Sequence, residues 1–151
     1  MAVKVVELHH HGIRIGHTPD ETDKALAFYQ DVLGLTPDPG RPNTIGPGYW
    51  MEVDGRAQIH LMGIRGTSPL AQSADKDPSL PHVALAVEDI QATKKELDRL
   101  SVGYWITKGV TGPDLEQVFV KDPAGNLIEF HQAGTCRCNK TRMGAGRSQM
   151  S

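Results

Sequence analysis

The sequence predicts an α+β protein built from two similar modules, each with the order strand, helix, strand, strand, strand. Two short segments that begin with histidine, 10–15 and 82–87, alternate in polarity and lie 72 residues apart. Each is followed by a helix signal and then by strands joined at turn sequences. Self-similarity at one fixed offset indicates a duplicated unit.

In the first module, a helix signal follows the first strand. Thr18-Pro19-Asp20-Glu21 is a candidate capping box with proline at the first helical position. Leu26, Tyr29 and Leu33 then recur at helical spacing, and Gly34 favours a helix end. We therefore expect one amphipathic helix here.

Strands 49–53 and 58–62 follow this helix, and the turn sequence Asp54-Gly55 joins them. The segment 35–48 contains many prolines and glycines, which are disfavoured inside a strand. It predicts at most a weak strand near Leu35.

The second module repeats this order. Asp89 is a candidate N-cap, and the helix stripe Ile90, Leu97, Leu100 ends before Gly103. Strands are predicted at 103–107, 117–120 and 127–131, with a turn at 122–125.

These elements divide the chain into a first module (7–65), a linker (66–80), a second module (81–132) and a basic tail (133–151). The tail holds four of the 16 basic residues and none of the 18 acidic ones, which leaves a net charge of −6 on residues 1–132. Because apolar residues do not recur at a regular spacing in the tail, we expect it to be disordered. Its Cys136-x-Cys138 pair lacks local metal-binding partners and is interpreted as inert.

Composition excludes several functional classes. A net charge of −2 argues against nucleic-acid binding, and no segment approaches the roughly 20 apolar residues of a membrane span. The sequence has no secretory signal and only two cysteines, so we expect a cytoplasmic protein.

Seven histidines are many for 151 residues, and strand alternation places some of them on one face. His60 points away from Ile59 and Leu61, and Glu129 points away from Ile128 and Phe130. These two positions are 69 residues apart, close to the offset between the modules. The polar faces therefore share four repeat-related residues: His10, His60, His82 and Glu129.

Three imidazoles and one carboxylate suit a divalent metal such as Zn, Ni, Fe or Co. The alternative is that each histidine is an ordinary hydrogen-bonded residue at a strand start. Their shared face and repeat-related positions favour the metal site. The interpretation depends on this symmetry alone, because no local ligand motif is present.

Two longer motifs carry a family resemblance. The segment Phe28-Tyr29-x-x-x-Leu33-Gly34-Leu35 and the segment Asp122-Pro123-x-Gly125-Asn126-x-Ile128-Glu129 accompany the histidine strands. Together they resemble the vicinal-oxygen-chelate superfamily of glyoxalases, bleomycin-resistance proteins and extradiol dioxygenases, over roughly residues 7–132. The resemblance implies paired βαβββ modules whose curved mixed sheet forms a cup, often in a homodimer.

Carried over by position, the resemblance implies one divalent ion (Zn, Ni, Co, Mn or Fe(II)) bound by His10, His60, His82 and Glu129. The leading interpretation is a glyoxalase-like lyase or isomerase that chelates vicinal oxygens of a small-molecule substrate. Glu129 would be its proton acceptor and glutathione a candidate co-substrate. Position 60 departs from the family, because metal-dependent glyoxalases usually have Glu or Gln there.

Other activities of the superfamily stay open. A set of two histidines and Glu129 also resembles the triad of Fe(II) extradiol dioxygenases, with His131 or Tyr104 as an outer acid-base group. A bleomycin-resistance-type binding protein, a thiol transferase and an epimerase are further alternatives. For any of them, the candidate substrate-binding residues are Arg14, Trp50 and Phe119.

Overall fold

The computed structural model describes residues 2–143. The first module begins with a long strand and a helix, and continues through a π-helical turn at Phe28–Val32 and a 3-10 turn at Asn43–Ile45. Its regular elements are β1 (Val5–Arg14), α1 (Pro19–Ala27), β2 (Thr36–Pro37), β3 (Gly48–Val53) and β4 (Ala57–Met62).

The second module repeats the order of the first. Its elements are β5 (His82–Val87), α2 (Ile90–Arg99), β6 (Trp105–Lys108), β7 (Glu116–Lys121) and β8 (Leu127–Gln132).

All eight strands form one open mixed sheet in the order β2-β3-β4-β1-β5-β8-β7-β6. Within each module the first and last strands pair in parallel, β1 with β4 and β5 with β8. The two modules meet where β1 and β5 run antiparallel at the centre of the sheet. The α+β fold with paired βαβββ modules is therefore confirmed, and both modules belong to one continuous sheet.

The helix starts follow the predicted capping chemistry. Thr18 accepts a hydrogen bond from the Glu21 backbone N–H, and Glu21 accepts one from the Thr18 backbone, which completes the capping box. Asp89 caps α2 by accepting from the N–H groups of Gln91 and Ala92. Among residues 2–143, neither helix is long and apolar enough to cross a membrane.

The second module has a continuous apolar core between α2 and the sheet. Ile90 and Leu97 of α2 pack against the buried residues Val118, Val120 and Phe130. These strand residues are the alternate positions that point towards the helix. Their packing fixes which face of β8 is left for polar residues.

A β-bulge in β1 changes which histidines are buried. Leu8 pairs with Leu85 and His10 pairs with Ala84, so β1 has one extra residue, His9, at this point. As a result, His9 and His10 are both buried, although they are neighbours in a strand, while His11 is exposed rather than turned towards a helix.

Residues 133–143, which the composition assigned to a disordered tail, pack against the first module instead. Arg137 forms a bidentate ion pair with the buried Asp38, through Nε at 2.9 Å and Nη2 at 2.6 Å. Cys136 and Cys138 are buried as well. The segment gains its order from long-range polar partners and not from an apolar stripe of its own. Residues 144–151 lie outside the described part of the chain.

Candidate active site

The four central strands of the sheet bring the four predicted ligands to one face. His60 lies on β4, His10 on β1, His82 on β5 and Glu129 on β8. All four side chains are buried. Because all four strands belong to the same chain, the cup is complete without a second copy of the protein.

Three of these residues converge on a common point. His10 Nε2 lies 3.1 Å from His82 Nε2 and 3.1 Å from Glu129 Oε2, and His82 Nε2 lies 3.0 Å from the same oxygen. A divalent ion with bonds of about 2.1 Å at right angles separates its ligand atoms by about 3.0 Å. The triangle therefore has the size of one face of an octahedral metal site.

The outer nitrogen of His82 fixes its tautomer. Its Nδ1–H donates to the carbonyl oxygen of Leu80 at 2.6 Å, which leaves the electron pair of Nε2 directed at the triangle. On the other side, His10 Nδ1 contacts Cys138 Sγ at 3.2 Å. With Nδ1 protonated on both rings, the electron pairs of the two imidazoles and of a carboxylate oxygen would face one another, an arrangement that a cation stabilises.

Glu129 is held through both of its oxygens. Oε2 faces His10 and His82, while Oε1 accepts hydrogen bonds from Gln117 Nε2 and from His131 Nε2 at 2.6 Å. Burial alone would raise the pKa of Glu129, but the surrounding histidines, led by His131, lower it well below its usual range. In return, the pKa values of His131 and His82 rise despite burial, since both contact this carboxylate.

His60 lies beside the triangle and not within it. Its ring is stacked between Trp50 (centroids 4.5 Å apart) and His10 (3.7 Å), and its Nε2 contacts Gln58 Oε1 at 2.9 Å. Among the close groups of potential ligand atoms in residues 2–143, His60 occurs with His10 and Cys138, whereas His82 and Glu129 occur with His10 in a separate group.

Burial governs the protonation of the two stacked histidines. It lowers the pKa of His10 to about 4, against the opposing effect of Glu129, and it lowers the pKa of His60 well below its usual value. Both imidazoles are therefore neutral at neutral pH and can accept a metal ion or a proton.

A cavity of about 300 Å³ opens onto the triangle. His60 and His131 line it together with the three converging residues. Most of the remaining wall is apolar and comes from the end of β4 and from the loops after β2, β4 and β6, which together contribute Ile45, Pro47, Met62, Ile64, Leu70 and Val110. The volume suits a small organic molecule with a polar end at the histidines.

The structure places the three predicted substrate-binding residues differently. Trp50 lines the cavity. Phe119 shares this face of the sheet but is fully buried and stacked on Trp105, with ring centroids 4.0 Å apart. Arg14 donates to the backbone and side chain of Ser79 and pairs with Asp77, so its guanidinium is already engaged.

Of the two candidate outer groups, His131 contacts Glu129 and lines the cavity. The Tyr104 hydroxyl instead donates to Asp98 of α2 at 3.4 Å, at an exposed position. Of the two, only His131 therefore lies beside the triangle, and an acid-base role for it stays a prediction.

Sequence reasoning missed several residues of the cavity. Arg41 lines it, and its Nε has no hydrogen-bond partner within residues 2–143. Burial lowers the pKa of Arg41, because a partly apolar wall disfavours the charged form of the guanidinium. Only Gln117 had a readable signal, because it lies on β7 twelve positions before Glu129 and across a predicted hairpin.

Comparison with known proteins identifies the family. Residues 8–130 match the model of the Glyoxalase/Bleomycin resistance protein/Dioxygenase superfamily. The chain therefore belongs to this superfamily, as its motifs indicated. None of the curated proteins compared with the chain matches it.

Two solved structures illustrate the range of relatives. Methylmalonyl-CoA epimerase from Mycobacterium tuberculosis is similar over 87% of this chain and 91% of its own, with 26% identity and a TM-score of 0.62. The 2,3-dioxygenase LapB from Pseudomonas sp. KL28 is similar over 92% of this chain, with 21% identity and a TM-score of 0.61. This chain spans 44% of the dioxygenase's length, and at that identity the likeness shows the fold alone.

Proposed function

We propose that the protein is a metal-dependent enzyme in which His10, His82 and Glu129 bind one divalent ion. The observation that carries this proposal is the triangle of ligand atoms, with edges of 3.0–3.1 Å. When bound, the ion would supply Lewis acidity and open coordination positions for two neighbouring substrate oxygens and, in the case of Fe(II), for dioxygen.

The geometry favours extradiol-type dioxygenase chemistry over the glyoxalase type that led the sequence interpretation. Two histidines and one carboxylate form the triad of non-haem Fe(II) oxygenases, and the stacking of His60 keeps it out of this set. Glu129 is poorly placed to act as the proton acceptor of an isomerisation, because all its contacts hold it in place. We therefore assign it to metal binding.

His60 is the group we assign to proton transfer. Its Nε2–H donates to Gln58 Oε1, which leaves the electron pair on Nδ1. A neutral imidazole at the cavity wall can accept the proton of a substrate hydroxyl there. Trp50 and His10 hold the ring in place from both faces.

Arg41 indicates the charge of the substrate. The Arg41 guanidinium lines a largely apolar part of the cavity, and its positive charge favours a ligand that brings a negative group, such as a carboxylate. The substrate class that fits both ends of the cavity is a small aromatic diol with an acidic substituent.

The test is a measurement of oxygen consumption. The protein is first reconstituted with Fe(II) under anaerobic conditions and is then assayed in oxygenated buffer. Catechol and 3,4-dihydroxybenzoate are the probes, and we expect uptake of one dioxygen per diol, faster with the carboxylate. His82→Ala should bind one equivalent of iron per chain fewer than the parent protein, and His60→Phe should keep the iron but lose most turnover. His11→Ala is the matched control, since His11 is exposed.

The second candidate is an isomerase or epimerase that forms an enediolate or enolate, with glutathione as one candidate co-substrate. It is supported by the likeness to methylmalonyl-CoA epimerase at 26% identity. Isomerisation of the methylglyoxal–glutathione adduct, or epimerisation of an acyl thioester, without oxygen uptake would select this candidate. Absence of a bound metal that is lost in His82→Ala would contradict both candidates and favour a ligand-binding module of the bleomycin-resistance type.

A further inference from the structure

Three potential ligands outside the triangle meet behind His10. They are His9 from the bulge in β1 and the two cysteines of the C-terminal segment, Cys136 and Cys138, and all three are buried. One ligand atom from each lies within 4.8 Å of the other two. The cluster lies outside the set His10, His82 and Glu129, which has its own ligand atoms.

The His9 imidazole lacks the partner that its burial demands. Its exposed fraction is 1%, and within residues 2–143 its Nδ1 has no hydrogen-bond partner. A buried, unsatisfied ring nitrogen costs roughly 1–3 kcal/mol, so an arrangement of this kind is stable only if something else satisfies it. The nearby sulfur atoms indicate a ligand that imidazole and thiolate share.

The two sulfur atoms lie side by side and are supported by the backbone. They are 3.0 Å apart, within hydrogen-bond distance, and the backbone N–H of Cys138 donates to Cys136 Sγ at 3.4 Å. Such N–H donors stabilise the charged form of a sulfur ligand.

We propose that His9, Cys136 and Cys138 form a second metal site, which takes a thiophilic divalent ion such as Zn²⁺. Two thiolates and an imidazole match the donors that Zn²⁺ prefers, and the two negative charges neutralise the ion in a buried position. Tetrahedral Zn²⁺ separates such ligand atoms by about 3.6–3.8 Å, so binding moves the sulfur atoms apart by less than about 1 Å.

The site has an entry path and a structural consequence. Cys136 lines both the substrate cavity and a neighbouring cavity of about 410 Å³. An ion here would pin residues 136–138 to β1 and hold Cys138 as a thiolate. That thiolate can accept the Nδ1–H of His10 across 3.2 Å, which leaves His10 Nε2 free on the other side of the ring.

Cobalt substitution tests the site, because the chain has only these two cysteines. Titration of the metal-free, reduced protein with Co²⁺ should give a sulfur-to-cobalt charge-transfer absorption band and a total of two ions per chain. The band should vanish in Cys136→Ser/Cys138→Ser and weaken in His9→Ala. His82→Ala should keep the band while losing one ion, which separates this site from the proposed active site.

Three results would overturn the proposal. One is the absence of a charge-transfer band while both thiols still react fully with a thiol reagent in the presence of Co²⁺. Another is a band that persists in Cys136→Ser and is lost only in Cys138→Ser, which would assign Cys138 to a site with His10 and His60. The third is isolation of the native protein with the two cysteines joined as a disulfide. Circular dichroism of each variant checks that it is folded.

Discussion

The ion pair between Asp38 and Arg137 allows a quantitative test of how the C-terminal segment is held. The Asp38 carboxylate is fully buried and accepts from five donors: the Gly40 backbone, Gln58, Nε and Nη2 of Arg137, and Lys140 Nζ at 3.5 Å. In Arg137→Ala, the two Arg137 donors are lost and the carboxylate remains in place. The perturbation therefore leaves a buried charge with three of its five donors, and the Lys140 contact is the longest of these.

The expected loss follows from the geometry. Breaking a buried ion pair costs about 3–5 kcal/mol, whereas an exposed pair contributes about 0–1 kcal/mol. The Arg137 side chain is 35% exposed while that of Asp38 is 0% exposed, so the pair lies between these limits. We expect Arg137→Ala to lower the free energy of unfolding by about 2 kcal/mol.

The stability that the ion pair contributes should also depend on pH, in a direction set by the pKa of Asp38. Burial raises the pKa of Asp38, but the hydrogen bonds from Arg137, Gly40 and Gln58 outweigh it and hold the pKa well below its usual range. The stabilisation is therefore complete above the unfolded value of about 3.9 and is lost as the pH falls towards the folded value. The difference between parent and variant should narrow as the pH falls below about 4.

The assay is urea unfolding of the metal-free protein, followed by the fluorescence of Trp50 and Trp105, at pH 7 and at decreasing pH. Metal-free protein is needed because an ion bound only to the folded state adds to its stability. The control is Arg142→Ala, whose exposed guanidinium lies 3.7 Å from Glu7. A loss no larger than that of the control, or one that does not change with pH, would refute the reasoning.

Two further predictions concern the site and the first helix. A Cβ at position 12 would lie 2.5 Å from Cε1 of His82, so Gly12→Ala should displace that ring and weaken metal binding at least about tenfold, measured by metal titration. Gly103→Ala has open space and should bind as the parent does. Thr18→Ala removes the capping box and should cost about 1 kcal/mol in thermal or urea unfolding. Thr67→Ala, at an exposed loop position, is its control, and equal stability of the two would contradict the cap's role.

Much of the fold could be predicted from the sequence because its signals are local. The capping box at Thr18, the N-cap at Asp89 and the alternation in β4 and β8 each depend on a few neighbouring residues. The repeat offset then related the two modules to each other. The segment around Leu35 gave a weak signal, and its strand is only two residues long, Thr36–Pro37.

The site was harder to predict where it depends on irregular or distant features. Strict alternation puts His9 on the opposite face to His10, and only the bulge in the pairing with β5 buries both. Cys138 contacts His10 and His60, which lie 128 and 78 positions away from it in the chain. No local spacing could show that the C-terminal segment returns to the cup.

The stacking of His60 has a related explanation. Its repeat-related partner is Glu129, which suggested an equal role as a ligand. Symmetry relates backbone positions, however, and not side-chain environments. Trp50 faces His60 across β3 and β4, where the second module has Phe119 facing Glu129. The indole ring of Trp50 stacks on the imidazole, which lies beside the triangle.

The central pairing of β1 with β5 has a consequence for how such a site can diversify. A cup assembled from two identical chains must carry the same residue at both symmetry-related positions. Here the two halves are covalently joined, so a mutation in one half leaves its counterpart unchanged. The equivalent positions 60 and 129 accordingly hold an imidazole and a carboxylate. A joined chain can therefore give one position the proton-transfer role that we propose for His60 and keep the other for the metal that we propose at Glu129.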